Sequence, residues 1–483
     1  MTTPHFKLTP WHILGVAAVA YALLSLVNHA MFRTYGLDLG LYTHYMYAYS
    51  HLRFDDCSFF MEAPRNILSD HFDLYLILFS PLLWVFGSGT LLVVQIAAVL
   101  FGALGVYRFV DACGSERKAR HAGGTNAFAL AAMIAFLLFF GVWDALGFDY
   151  HSNVVAAMWV PWLFYWLRRG HYSLYALAVV MVCIAKENMP LWLLFVLAAL
   201  MWDYRRDRKA RLWLAGGMAF CVAYLLLVTM VAMPSLNSGK NLFISRYNHM
   251  GDSFGAVAQW IFTHPVETLR NLFINFRTSS RGDGLKGEFY LCLLLSGGLF
   301  LCLKPNWLLM VVPLVAQKML SSDIALWGVG SQYSVEFAPV VVCGIFAAAS
   351  RIQWPRVRAA VAIAMPLLCL GVTIYTCTGA KAWVQRENVR LFHGDHYRQR
   401  DFDRRYAWQL LNRIPADASV CTSQCFSPHL ALRDSIYLYP TGLCHNPRYL
   451  LLTQQDITPD TAGYHLVETD GKVFLFGPEY PVH

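Results

Sequence analysis

Four short segments of this chain place ionisable side chains where the surrounding sequence is apolar. Lys186-Glu187-Asn188 is a charged triplet between two apolar runs, in a connection too short to be a solvated domain. Ionisable groups at or inside a membrane boundary are costly unless paired or used. A lysine there can hold a phosphate or diphosphate as a point charge, with Glu187 as its partner or as a metal ligand; the alternative is an internal Lys–Glu pair closing a tight turn. Asp38 lies in Phe32–Gly40 among aromatic and apolar residues, beside two glycines. It could serve as a general base that activates an acceptor hydroxyl or amine, or as the N-cap of a helix over Leu39–Tyr49. Phe148-Asp149-Tyr150-His151 puts a carboxylate and an imidazole two residues apart, so an extended turn would present both to one pocket. Asp70-His71-Phe72-Asp73 offers a similar pairing, and His71 stands where the chain re-enters apolar surroundings, whereas Asp55 and Asp56 read as a polar loop.

Two further segments are weaker candidates. Gln332, Tyr333 and Glu336, at the entry to an apolar run, could hydrogen-bond a sugar or pyrophosphate, although an interfacial tyrosine anchor explains Tyr333 equally well. Arg246 and His249 could meet anionic headgroups or belong to a solvated loop. Asp38, His71, Asp149 and His151 are also the candidate ligands for a divalent cation such as Mg or Mn, though their spacing matches no stringent metal motif. The chain contains no phosphate-cradling glycine–lysine loop and no G-x-S-x-G elbow.

The elements that must position these residues are membrane helices. The chain is 57% hydrophobic, 15% aromatic and only 14% charged, and apolar runs recur along most of it. The net charge of +8 sits in short loops between those runs, so it argues for topology and against nucleic-acid binding. Eleven spans are expected: Trp11–Ala30, Thr90–Val110, Thr125–Val142, Ser152–Leu167, Tyr172–Ala185, Met189–Trp202, Leu212–Met233, Phe289–Leu303, Asn306–Leu320, Phe337–Ser350 and Ala359–Cys377. Basic clusters at Arg117–Arg120, Arg168-Arg169, Arg205–Arg211, Lys304 and Arg351–Arg358 fall in alternate loops, which the positive-inside rule assigns to the cytoplasm. The N-terminus is then cytoplasmic, the first run is a retained helix without a cleavage site, and His71–Phe86, with its break at Pro81, lies at the outer interface or re-enters. On this topology every candidate residue is on the outer face.

From about Lys381 the composition changes to charged residues and turn signals. Short β-rich runs at Ile436–Tyr439, Tyr449–Thr453, Tyr464–Val467 and Val473–Phe476, with a hairpin turn at Asp470-Gly471, predict a small α/β domain over 381–483 on the outer face. Residues 1–380 form the transmembrane module, with 31–89 as its first outer loop. Cys421, Cys425 and Cys444 leave one thiol unpaired if two are bridged, and spacing does not say which.

Several motifs carry a family resemblance. L-D-L-G-L-Y (Leu37–Tyr42), S-D-H-F through S-P-L (Ser69–Leu82), F-D-Y-H (Phe148–His151), A-K-E-N (Ala185–Asn188), Q-Y-S-V-E-F-A-P (Gln332–Pro339) and the stretches Ile414–Val420, Pro428–Arg433 and Tyr437–Pro440 resemble, over essentially the whole chain, a family of bacterial and archaeal predicted multi-pass membrane proteins. That family is similar in layout to the GT-C superfamily of polyprenyl-phosphate-sugar-dependent glycosyltransferases. The resemblance implies that Asp38 matches the catalytic acidic residue and that Lys186 holds the donor phosphate. It also implies a bacterial inner-membrane enzyme with a lipid-linked sugar donor and a lipid, glycan or protein acceptor. Asn188 replaces an acid of the family pattern, Phe72-Asp73 stands where F-S is usual, and Gln332 replaces a histidine. Trp143 and Tyr150 could stack on sugar faces. The rival reading is a flippase or small-solute transporter using the same charges; it would require mid-membrane charges and repeated halves, whereas these charges gather at one face.

Overall fold

In a bilayer every backbone amide and carbonyl must be satisfied within the protein, which makes helices of the long apolar runs. The computed structural model describes residues 8–57, 59, 64–118, 126–236, 242–381, 386–440, 446–457 and 464–478; Arg120, Thr125 and Cys444 lie outside the described residues. The main helices are α1 (Pro10–Ala30), α2 (Leu41–Ser50), α3 (Thr90–Lys118), α4 (Ala127–Leu137), α5 (Phe140–Leu146), α6 (Ser152–Ala157), α7 (Val160–Arg169), α8 (Tyr172–Cys183), α9 (Met189–Asp203), α10 (Arg208–Leu227), α11 (Leu285–Leu295), α12 (Pro305–Met319), α13 (Phe337–Ala349) and α14 (Pro355–Thr378).

Among the described residues, five stretches are long and apolar enough to cross a membrane: Pro10–Ala30, Tyr75–Gly114, Arg208–Leu236, Ser331–Ala349 and Pro355–Thr378. A sixth is counted if α4 and α5, bent by 48° at their junction, form one span. Fewer regular spans therefore emerge than the eleven expected, and the shortfall has local causes. The Ser152–Leu167 run divides into α6 and α7 where Pro161 sits in the first turn of α7, since proline lacks the amide that a continuous helix would bond. The Phe289–Leu303 run stops at Gly297, whose φ of +105° suits glycine. A Cβ there would lie 2.4 Å from Ile345 Cδ1 and 2.5 Å from Met365 Cε, so helices α13 and α14 press directly on that backbone. Helices α8 and α9 have 12 and 15 residues, reaching only about 18 and 22 Å at 1.5 Å per residue. The segment before α3 breaks into a 3₁₀ turn at Ser80–Leu82, around Pro81.

The C-terminal part forms a five-stranded sheet of β1 (Val420–Thr422), β2 (Ile436–Leu438), β3 (Tyr449–Thr453), β4 (His465–Thr469) and β5 (Val473–Gly477), in the order β2-β1-β3-β5-β4. Strand β1 is parallel to β2 and β3, whereas β5 is antiparallel to both β3 and β4. The hairpin turn is where Asp470-Gly471 predicts it: Asp470 Oδ1 accepts the amides of Lys472 and Val473 at 2.9 and 2.8 Å, and Gly471 has φ +85°. Strand β1 escaped the sequence reading because three residues give no alternation to see. Cys421 is disulfide-bonded and Cys425 is a free thiol.

One contiguous core runs from the helices into the sheet, taking in Leu24, Phe136 and Phe337 together with Phe426, Leu438 and Leu475. A guanidinium reinforces that junction. Arg33, just past α1, donates to the carbonyls of Asp395, His396 and Arg398 at 2.7, 2.9 and 2.6 Å, and charge-assisted bonds of this kind hold more firmly than neutral ones.

Candidate functional site

The Asp38 segment is a π-turn over Gly36–Gly40, and the Asp38 carboxylate caps no helix among the described residues. The helix-cap alternative is thereby removed. The turn is held from below by Asp149, whose Oδ2 accepts the Tyr35 and Leu39 amides at 2.7 and 3.2 Å. From the sheet side, the Gly36 amide donates to Gln424 Oε1 at 3.0 Å. Burial, then the neighbouring Asp38 charge, push the Asp149 carboxyl well above the usual range, and the two amide bonds only partly offset this. Asp149 thus acts on the backbone that presents Asp38, while the Asp38 carboxylate, 30% exposed, faces outward.

Glycine at position 36 is a requirement of this geometry. A Cβ would lie 2.4 Å from Ser427 Oγ and 2.8 Å from Leu438 Cδ1. Gly36→Ala should displace the turn and lower stability by about 1–3 kcal/mol through overpacking; circular dichroism would show an intact helical fold with a lower melting midpoint.

His151 completes this half of the site. Its Nε2 lies 3.4 Å from Asp38 Oδ1, and its Nδ1 is 3.3 Å from the Asp149 carbonyl oxygen. The tautomer that donates Nδ1–H to that carbonyl leaves Nε2 facing Asp38. Gln95 on α3, which the sequence reading passed over as one polar residue in an apolar run, fixes the segment: its Oε1 accepts the His151 amide at 2.9 Å and its Nε2 approaches the carbonyls of Ala145 and Asp149 at 3.3 and 3.4 Å.

Asp38 opens onto a cavity of about 760 Å³ bounded by Tyr35, Phe148, Arg281, Asp323 and Lys381, with Gln332 and Tyr333 at one side. Gln332 and Tyr333 also line a second, smaller cavity of about 60 Å³, into which Lys186, Arg246, Lys318 and His71 converge with Glu336. The two cavities therefore share a wall. The Lys186 ammonium makes no hydrogen bond or ion pair with the described residues. Lys318 Nζ is held by the carbonyls of Gly328 and Tyr333 at 2.6 and 3.4 Å, and Arg246 faces Asp323 at 3.8 Å. Asn153 donates to Glu336 Oε1 at 2.6 Å. Gln332 Oε1 and Asn188 Oδ1 are buried acceptors with no partner among the described residues, so both are free for donors that enter the pocket.

The position of the Gln332–Glu336 segment depends on a backbone approach: a Cβ on Gly141 of α5 would lie 2.2 Å from the Ser334 carbonyl oxygen.

Glu187 does not close a turn with Lys186. It is 3% exposed; its Oε1 meets His71 Nδ1 at 3.2 Å and its Oε2 accepts the Phe72 amide at 3.1 Å, tying the Lys186 turn to the first loop. Burial would raise its carboxyl, but His71 and then Lys186 outweigh burial and hold it at about 2, against an ordinary value of 4.5. A depressed folded value contributes stability that is complete above the unfolded value and lost as pH falls through the folded one. Glu187→Gln should therefore destabilise the protein at pH 7 by on the order of 3 kcal/mol, with the gap to wild type closing between about pH 4.5 and pH 2. Denaturation midpoints in detergent at pH 7 and pH 3 measure it.

The ten candidate residues thus gather around two adjoining cavities, directly or through one bond. The four proposed metal ligands do not converge: His71 is engaged by Glu187, Asp149 Oδ2 is taken by two amides, and among the described residues no group of three His, Cys, Asp or Glu side chains could hold a metal ion. Two expected aromatics also lie elsewhere. Tyr150 is fully buried, and Trp143 donates to the Val389 carbonyl at 3.1 Å. His249 stacks on Phe276, away from the pocket. Lys318, Asn153, Arg281 and Lys381 were missed, because each reads in sequence as an ordinary polar residue near a helix end.

One family covers residues 28–462 of this sequence. The chain belongs to DUF2079, a family of predicted membrane proteins. In this DUF2079 chain the matched region takes in both cavities and strands β1, β2 and β3 of the sheet. No curated protein matches it by sequence. Among solved structures, ArnT from Cupriavidus metallidurans in the apo state is similar with a TM-score of 0.49 and 13% identity, over 96% of this chain and 97% of that one. The Archaeoglobus fulgidus oligosaccharyltransferase, tethered to an acceptor peptide, is similar with a TM-score of 0.41 and 13% identity, over 89% of this chain and 63% of that one.

Proposed function

We propose that this protein transfers a sugar from a polyprenyl-phosphate donor to an acceptor at the outer face of the membrane. The observation that carries the reading is the adjacency of two unlike cavities: one presents a partly exposed carboxylate, the other gathers Lys186, Arg246 and Lys318, and Gln332 with Tyr333 forms their common wall. A phosphate needs the cations, and an acceptor hydroxyl needs the base. The donor phosphate sits against Lys186 and Arg246, with its tail leaving towards the lipid. Gln332 Oε1 and Asn188 Oδ1 accept from sugar hydroxyls. Asp38 takes the proton of the acceptor O–H; the oxygen forms a bond to the anomeric carbon; the carbon–oxygen bond to phosphate breaks, and its electron pair leaves with the phosphate. The cations stabilise the charge that grows on that leaving oxygen, so the site supplies electrostatic stabilisation where a general acid would otherwise be needed. His151 Nε2 beside Asp38 can share the proton after transfer.

The decisive measurement uses the full chain in vesicles with polyprenyl-phosphate donors carrying a labelled sugar. Transfer or release of label supports the reading. Movement of intact donor across the bilayer, without release, would replace it with the transport reading.

A further inference from the structure

Two further cavities outside this site adjoin each other. One is a polar cavity of about 490 Å³ between the Arg33–Tyr35 segment and the sheet, and Tyr35 is also a wall of the Asp38 cavity. The other is an apolar groove of about 980 Å³ between α1, α4 and α14. Arg390 lines both. Its Nε and Nη2 donate to the carbonyls of Cys377 and Thr378 at the end of α14, at 3.2 and 3.3 Å. The guanidinium is thus fixed where the apolar groove meets the polar cavity, and Phe392 beside it is 97% exposed.

That sequence of surfaces matches an amphiphile. An alkyl chain fits a groove whose walls α1 and α14 are each long and apolar enough to cross a membrane, a phosphate fits a guanidinium at the boundary, and a hydroxyl-rich head fits a cavity with both signs of charge. Arg398 and Lys472 offer cations there, and Asp401 and Glu387 offer carboxylates, none of the four side chains being committed to a hydrogen bond or ion pair with a described residue. Gln424, whose Oε1 holds the Gly36 amide, lines the same cavity. A head bound there lies one residue, Tyr35, from Asp38.

We propose that the groove and the polar cavity together bind a membrane lipid whose phosphate-linked head carries hydroxyls, and that this lipid is the acceptor. The identification as acceptor rests on the transfer reading above; the binding does not. The probe is photoactivatable phosphatidylinositol, present in phosphatidylcholine vesicles containing the full chain. Labelled peptides should come from α1, α4 or α14. Ala17→Trp, which fills the groove, should reduce that labelling at least tenfold and leave labelling by a photoactivatable polyprenyl phosphate within twofold; Arg390→Gln should weaken phosphatidylinositol but not diacylglycerol labelling. Labelling that ignores Ala17→Trp, or that equals labelling by photoactivatable phosphatidylcholine, would overturn the site. Full competition by soluble inositol phosphate would leave a head site alone and overturn the lipid. If labelling holds while no donor releases sugar, the transfer reading fails and this binding site stands.

Discussion

Asp38→Asn should lower turnover of a polyprenyl-phosphate sugar by about 10²- to 10⁴-fold, the range a positioned general base contributes, while leaving donor binding within about twofold. The reasoning is geometric. Asparagine has the shape of aspartate and keeps the oxygen beside His151, but cannot accept the acceptor's proton. The Asp38 side chain caps no helix among the described residues, and the turn that presents it is held by Asp149 and Gln424 through backbone amides that the substitution leaves in place. The folded protein should therefore survive unchanged, which separates loss of a base from loss of structure. A kcat effect without a KM effect is the signature of an interaction made in the transition state alone. Turnover within threefold of wild type, in protein with an unchanged melting curve, would remove Asp38 as the base and leave the neighbouring cations without a catalytic partner.

The charged residues proposed for the site stand out in the sequence, and the polytopic helical fold around them is legible in part. Asp38, His71, Lys186 and Glu187 were visible because a charge in apolar sequence has few innocent explanations, and membrane energetics makes each one conspicuous. Their pairings were not visible. Glu187 could be matched to its neighbour Lys186 by proximity in sequence, yet its partner is His71, 116 residues away. Asp149 looked like a second acid for the pocket, whereas its oxygen is spent on two amides of the Asp38 turn; such a role has no side-chain pattern to reveal it. Lys318 escaped because it ends an apolar helix, where a lysine ordinarily reaches for the interface, and only the packing of the Gln332–Glu336 segment turns it inward. Among the described residues the regular spans are fewer than the eleven expected, for a related reason. Hydropathy sees an unbroken apolar run across Gly297 and across Pro161, but neighbouring helices approach the first too closely for a side chain and the second interrupts the hydrogen-bond ladder.

Lys186→Met carries the second large effect. Three cations surround a cavity of only about 60 Å³, so a phosphate bound there would be shielded from water and would gain about 4 kcal/mol from a unit charge at 4 Å in a partly buried setting. Desolvation of the lysine consumes part of that gain, which leaves an expected loss of about 10²- to 10³-fold in kcat/KM for the phosphate-linked donor. Lys318 is committed to two carbonyls and Arg246 faces Asp323, whereas the Lys186 ammonium makes no hydrogen bond or contact ion pair with a described residue and acts on Glu187 only at longer range; of the three it is the one whose charge is most available. Lys186→Arg keeps that charge and should retain activity to within about tenfold, its planar fork fitting a pocket shaped for a point charge less well. The loss should appear in both KM and kcat, because the phosphate is held in the ground state and gains charge as it leaves. The contrast with Asp38→Asn is then diagnostic: the base variant binds donor and does not turn it over, the lysine variant fails at both. A Lys186→Met protein with wild-type KM would place the donor phosphate elsewhere, and the large cavity's own cations, Arg281 and Lys381, would be the next pair to replace.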